Sequence, residues 1–341
     1  MASRRVKRAG LAGAGVAGGV AGGLAVQHAV ARRLQKKPEV APLAELATPA
    51  GVREHDIPVS DGGSIHIVEE GPVAGTQILL LHGITLSAAV WHYQLRDLAG
   101  AGFRVVAMDF RGHGRSVPGR DGLTIDRLAV DVEEVIGALD LTGVVLAGHS
   151  LGGMVALRML ARDPDSAAGR GRIRSLVLVA TSASPVRHRG FPLARGLVAA
   201  ARPLLIRSAA LSARLPGPTL PAHDLAFLLA RITFGEGASP GQVSFTGELT
   251  AGVPARVSAQ LLLEILRFDE EDTLGSIRLP TTVIVGDHDL MTPVAQARAM
   301  VAAIPGARLL LLPGCGHMVM LERRREMDEV LVGGRPAWRV A

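Results

Sequence analysis

The sequence predicts an α/β fold: a mostly parallel, doubly wound sheet with helices on both faces and a helical cap inserted late in the chain. Three observations carry this. From Gly51 onward, short continuous apolar runs alternate with helical stretches, the pattern of strands buried on both faces. The stretch VVLAGHSLGGMVAL, 144–157, passes from a strand straight into a helix through Gly-His-Ser-Leu-Gly-Gly. Between two of the expected strands, residues 184–272 interrupt the alternation with several Leu- and Ala-rich helical pieces, too many residues for a simple loop.

The elements follow in order. REHDIPVS and SIHIVEEG alternate apolar with polar residues on either side of Asp61-Gly62-Gly63, and read as a hairpin. Strands are expected at Gln77–Leu81, Phe103–Met108, Val144–Ala147, Ile173–Ala180, Thr282–Val285 and Arg308–Leu312, and helices at Val90–Leu98, Ile125–Leu139, Leu151–Ala161, Val294–Ile304 and Met318–Leu331. In such sheets the reactive groups gather at the carboxyl ends of the strands.

Three parts are expected along the 341 residues: a basic-flanked apolar segment at 1–37, a linker at 38–50 and one large domain at 51–341 carrying the cap at 184–272. The net charge of +6 comes from the first part. Arg4, Arg5, Lys7, Arg8, Arg32, Arg33, Lys36 and Lys37 give residues 1–37 a charge of +8 with no acid, so the remainder is weakly acidic. With few aromatic residues and no nucleic-acid motif, the chain is not expected to bind nucleic acid. Between the basic clusters, Ala9–Ala31 holds no charge and is long enough for a helix to span about 30 Å of hydrocarbon. Its glycines weaken a helix in water but are tolerated in membranes, and Gly15/Gly19 and Gly18/Gly22 form small-xxx-small pairs. The segment reads as a single-pass anchor, N-inside with the large domain outside. A cleaved signal, which would give a secreted protein, and a low-complexity arm on a cytoplasmic one are the alternatives. The single Cys315 excludes an intramolecular disulfide.

The strand-to-helix turn around Ser150 carries the chemistry. A turn that tight needs small flanking residues, raises the central side chain above the sheet and faces it with the free N–H groups of a helix start. That is a nucleophile elbow, G-x-S-x-G. Serine needs a base. His317, in PGCGHMVMLE, follows the last strand and is the best placed. His149 neighbours the serine but is expected to point away from it, and His113 and His82 are expected to brace their loops. The base needs a carboxylate. In GDHDLMTP both Asp287 and Asp289 qualify, and Asp289 is favoured. The second oxyanion donor is expected from LLLHGITLS, with the Ile84 N–H first and Thr85 second, to act beside the Leu151 N–H. The DHD run has no accompanying ligand cluster, so neither a metal nor any other cofactor is expected.

LLLHG, MDFRGHGRS, GHSLGG, GDHDLMTP and GCGHMVMLE, in this order, resemble the alpha/beta-hydrolase family, in its capped lipase/esterase and haloperoxidase-like branch. The resemblance spans about 51–331 and implies Ser150, Asp289 and His317 as a triad, with Ile84 and Leu151 framing the oxyanion hole. A serine at the elbow, rather than aspartate, points to acyl transfer. The expected activity is hydrolysis of a carboxylic ester with a hydrophobic acyl group, the substrate being a small-molecule or lipid-derived ester. Between Ser166 and His223 nine arginines face no acid, which suits a cap resting on a membrane surface or a solvated lid. Acyl transfer to another acceptor, perhydrolysis and ligand binding without turnover are the alternatives.

Overall fold

In the computed structural model the described residues are 33, 46, 51–162, 172–184, 227 and 230–333. Eight strands form one sheet in the order β1-β2-β4-β3-β5-β6-β7-β8. They are β1 (Arg53–Pro58), β2 (Ser64–Glu70), β3 (Gln77–Leu81), β4 (Arg104–Met108), β5 (Val144–His149), β6 (Ile173–Val179), β7 (Thr281–Gly286) and β8 (Arg308–Leu312). β1 and β2 form the expected hairpin, β2 pairs antiparallel with β4, and every pairing from β4 through β8 is parallel.

Alternate residues of the parallel strands enter two separate cores. Leu79, Leu81, Val106, Met108 and Leu146 face one side; Ile78, Leu80, Val105, Ala107 and Val145 face the other. The first side is covered by α2 (Ile125–Ala138), α3 (Leu151–Arg162) and α6 (Val294–Ala303), and the second by α1 (His92–Gly100), α7 (Val319–Glu322) and α8 (Arg324–Leu331). This double burial explains why the strands read as apolar runs rather than as alternation.

Two expected helices are divided. The first begins as a 3₁₀ turn over Ala88–Trp91 before α1. The last breaks at Arg323, whose backbone leaves the helical region at φ −133° and ψ 52° while its guanidinium donates to the carbonyl of Pro313.

The long interval between β6 and β7 is described in part. Its described helices are α4 (Pro240–Gly252) and α5 (Ala255–Arg267), followed by a 3₁₀ turn over Glu271–Ser276. Ser239 caps α4 in a reciprocal capping box with Gln242. Most of the arginine-rich stretch, and the whole of Ala9–Ala31, lie outside the described residues. Among the described residues no single helix is long and apolar enough to cross a membrane; only α4 and α5 together pass by length and composition, and they are bent by 98°.

Candidate active site

The sheet order places four loops together. β3 and β5 are neighbours, and the loops after β3, β5, β7 and β8 leave from the same, carboxyl, edge of the sheet. Ser150 follows β5, Ile84 follows β3, Asp289 follows β7 and His317 follows β8.

Ser150 sits at φ 51°, in the left-handed region that costs a non-glycine residue energy. The main chain holds it there. Its N–H donates to Val179 at 2.9 Å, and its carbonyl accepts from the Gly153 N–H at 3.0 Å and the Thr181 hydroxyl at 2.6 Å. The flanking glycines are sterically required. A Cβ on Gly148 would lie 2.4 Å from the Gly152 carbonyl oxygen, and one on Gly152 would lie 2.4 Å from that of Leu81. Leu151, fully buried, opens α3, whose first N–H groups have no intrahelical acceptor.

The β3 loop lies against the elbow. A Cβ on Gly83 would come within 3.2 Å of Ser150 Cβ. His82 braces this loop: its Nε2 accepts from the Phe110 N–H at 2.9 Å, so Nδ1 carries the proton and donates to the Gly83 carbonyl at 2.7 Å. Burial, with the neighbouring His113 adding to it, holds His82 well below the ordinary histidine range. It therefore stays neutral in the tautomer those two bonds require. Ile84 is half-buried, and Thr85 adopts φ 60° with its hydroxyl 3.3 Å from that of Thr250 in α4.

The β7 and β8 loops supply a bonded pair. His317 Nδ1 donates to Asp289 Oδ2 at 2.9 Å. The other oxygen, Oδ1, accepts the N–H groups of Met291 and Thr292 at 2.8 and 2.9 Å, and the Thr292 hydroxyl donates to Oδ2 at 2.7 Å. Burial pushes the Asp289 carboxyl up, but the His317 charge and bond and the Thr292 donors outweigh it, leaving Asp289 below its ordinary value. An ionised carboxylate on Nδ1 leaves His317 Nε2 unprotonated in the neutral ring, able to accept a proton. Asp287 does something else: it is exposed and accepts the Gly314 N–H at 2.6 Å, tying the β7 loop to the β8 loop.

His149 packs against the base loop. Its ring lies 4.7 Å from that of His317, and its Nε2 donates to the His317 carbonyl at 3.0 Å. The other nitrogen, Nδ1, has no hydrogen-bond partner among the described residues. Burial, reinforced by the charge of His317, pushes His149 down to about 3. It is a neutral brace between elbow and base. Its place beside the serine in the motif shows adjacency but not the direction of the ring. Among the described residues no His, Cys, Asp and Glu cluster could hold a metal.

The alpha/beta-hydrolase fold model matches residues 76–324, from the start of β3 into α8, taking in all four loops. The chain belongs to the alpha/beta-hydrolase family. A non-heme haloperoxidase from Rhodococcus erythropolis is 30% identical over 277 residues, 76% of this chain and 92% of that protein. Among solved structures, an esterase from Exiguobacterium antarcticum superposes with a TM-score of 0.69 at 25% identity, over 82% of this hydrolase and 98% of that chain. A thermophilic esterase from Thermogutta terrifontis superposes at 0.67 with 26% identity, over 82% and 97%.

Proposed function

We propose that this alpha/beta hydrolase cleaves carboxylic esters with a hydrophobic acyl group through a Ser150–His317–Asp289 triad and an acyl-enzyme. The observation that carries the reading is the buried His317–Asp289 pair at the same sheet edge as a serine held at φ 51° on a strand-to-helix turn. A merely structural turn has no need of a strained serine at the sheet edge that also carries an oriented histidine. The similarity to two solved esterases supports the same reading.

In the first half-reaction Ser150 Oγ attacks the ester carbonyl while its proton passes to His317 Nε2. Asp289 holds the ring and offsets the charge that forms on it. The oxyanion is received by the N–H groups of Leu151 and Ile84, each such donor being worth ~10²–10³-fold in kcat. The tetrahedral species collapses, His317 returns the proton to the leaving alcohol, and the acyl group stays on Ser150. Water then attacks the acyl carbonyl as it gives a proton to His317, and collapse breaks the acyl–Ser150 bond as His317 returns that proton to Ser150 Oγ, releasing the acid and the free enzyme. A panel of p-nitrophenyl esters of increasing chain length tests this. Turnover that rises with acyl length supports the reading, and absence of turnover across the panel contradicts it.

A second reading has one specific observation behind it, the 30%-identical non-heme haloperoxidase. Peroxide in place of water as acceptor would give a peracid on the same residues. Competing acceptors added to one ester substrate separate the two.

The segments at 1–37 and 38–50 are proposed as a membrane anchor and linker, and 184–272 as a cap over the site. On this reading the full-length protein sediments with membranes and resists high-salt extraction. A variant beginning at Val40 loses membrane association and keeps esterase activity. Release of the full-length protein by salt alone would instead indicate an arm held by charge.

A further inference from the structure

The triad accounts for the side chain of His317 but not for what holds its main chain. The β8 loop turns sharply through Gly314, at φ 65°, and reaches His317 within three residues. It therefore leaves N–H groups with no strand to pair with, and their acceptors come from outside the loop.

Glu322, the last residue of α7, turns back toward this loop. Its Oε1 accepts the Gly316 N–H at 2.9 Å, and its Oε2 accepts the Gly235 N–H at 2.8 Å. One carboxylate thus joins the residue before the base to the start of the described part of the β6–β7 insertion. The His317 N–H itself donates to the Thr233 carbonyl at 2.6 Å. The two main chains are in contact: a Cβ on Gly316 would fall 2.4 Å from the Gly235 nitrogen, and one on Gly235 would fall 2.2 Å from the Gly314 carbonyl oxygen. Nearby, Gln242 of α4 donates to the Leu321 carbonyl at 2.7 Å, fastening the insertion to α7 a second time. On its other side the His317 carbonyl is held by His149.

We infer that Glu322 is a positioning residue: by accepting both N–H groups it locks the His317 main chain to the root of the insertion, so that seating of the insertion sets the alignment of the base. The chemistry favours a carboxylate here. Two acceptor oxygens satisfy two converging donors, and an isosteric amide can satisfy one while setting its own NH₂ against the other. Burial pushes the Glu322 carboxyl up, and the two N–H donors and the neighbouring Arg323 and Arg231 oppose that. At its far end α4 meets the other half of the site, where Thr250 faces Thr85 of the β3 loop. The insertion therefore touches the loops on both sides of the reacting centre.

This inference rests on the proposed triad, and the test separates the two. Wild type, Ser150→Ala, Glu322→Gln and Gly235→Ala are compared with a short p-nitrophenyl ester, recording kcat, KM, thermal midpoint and the downfield proton signal of the His317–Asp289 bond. Glu322→Gln is expected to lower kcat about 10- to 100-fold, the scale of a small misplacement transmitted to a reacting group. KM should stay within about threefold, and the downfield signal should shift or broaden, as a positioning role requires. Gly235→Ala, which displaces the insertion root by a different route, should reproduce the kcat loss and the altered signal. Unchanged kcat in both variants overturns the inference, and so does a kcat loss that merely tracks the thermal midpoint with the proton signal unmoved. Turnover that survives Ser150→Ala would refute the triad itself, a result distinct from either.

Discussion

The elbow and the β8 loop hold Ser150 and His317 by different physics. At Ser150 the main chain does the work. Glycines at 148 and 152 have no room for a Cβ, the serine is strained, and neighbouring strands and α3 fix it from all sides. At His317 the sheet ends early and hydrogen bonds take over. Asp289 grips the ring, while Glu322, Thr233 and His149 act on the main chain around it. Ser150, the proposed nucleophile, is thus positioned by sterics within the sheet, and His317, the proposed base, by side chains and an inserted segment. The first arrangement breaks only with the fold. The second can be loosened residue by residue.

The largest effect should come from the elbow. Ser150→Ala removes the nucleophile without disturbing the main-chain bonds that hold the turn, and triad members act as a unit. Turnover of activated esters should fall on the order of 10⁴-fold or more, with the thermal midpoint nearly unchanged.

On the base side Asp289→Asn should cost up to about 10⁴-fold in kcat, because an amide cannot hold the Nδ1 proton as the carboxylate does. Asp287→Asn keeps an oxygen for the Gly314 N–H and should stay within about threefold, the scale of one retained neutral hydrogen bond. Steady-state kinetics on the pair sharpen the contrast; a reversed ranking would mean that the carboxylate bonded to His317 is not the one that supports it.

The smallest effect should lie between the two regions. His149→Phe keeps a ring in a similar place but strands the His317 carbonyl, a loss of about 1 kcal/mol or somewhat more. A kcat decrease of about tenfold is expected, measured with the same esters. No change would show that the His317 main chain is held sufficiently from the insertion side alone.

The difference between the regions also governs what the sequence reveals. The elbow is local: small residues flanking a serine between a strand and a helix state their geometry within a few positions. The parallel strands were legible as short, mostly apolar runs and the hairpin strands by their alternation, and the ends of the parallel strands agree with the structure to within a residue or two. The resemblance to the family then ordered the loops along one edge. Contacts of the base loop are not local. Glu322 and Gly235 are separated by 87 positions, and the bond runs from a side chain to a main-chain N–H, which any residue but proline could offer. No periodicity records such a bond. The break at Arg323 has the same origin, since a tertiary contact with Pro313 overrides a helical pattern. The direction of the His149 ring depends on its contact with His317, 168 positions away.

The most direct test of the account is covalent capture. A fluorophosphonate reports an activated serine because it reacts only where a base and oxyanion donors are assembled around the hydroxyl. Treatment of the purified protein, followed by peptide mass mapping, should give one adduct, on Ser150, with labelling lost in Ser150→Ala and strongly slowed in Asp289→Asn. An adduct on another serine, or an unlabelled protein that still turns over esters, would contradict the assignment of Ser150 as the nucleophile.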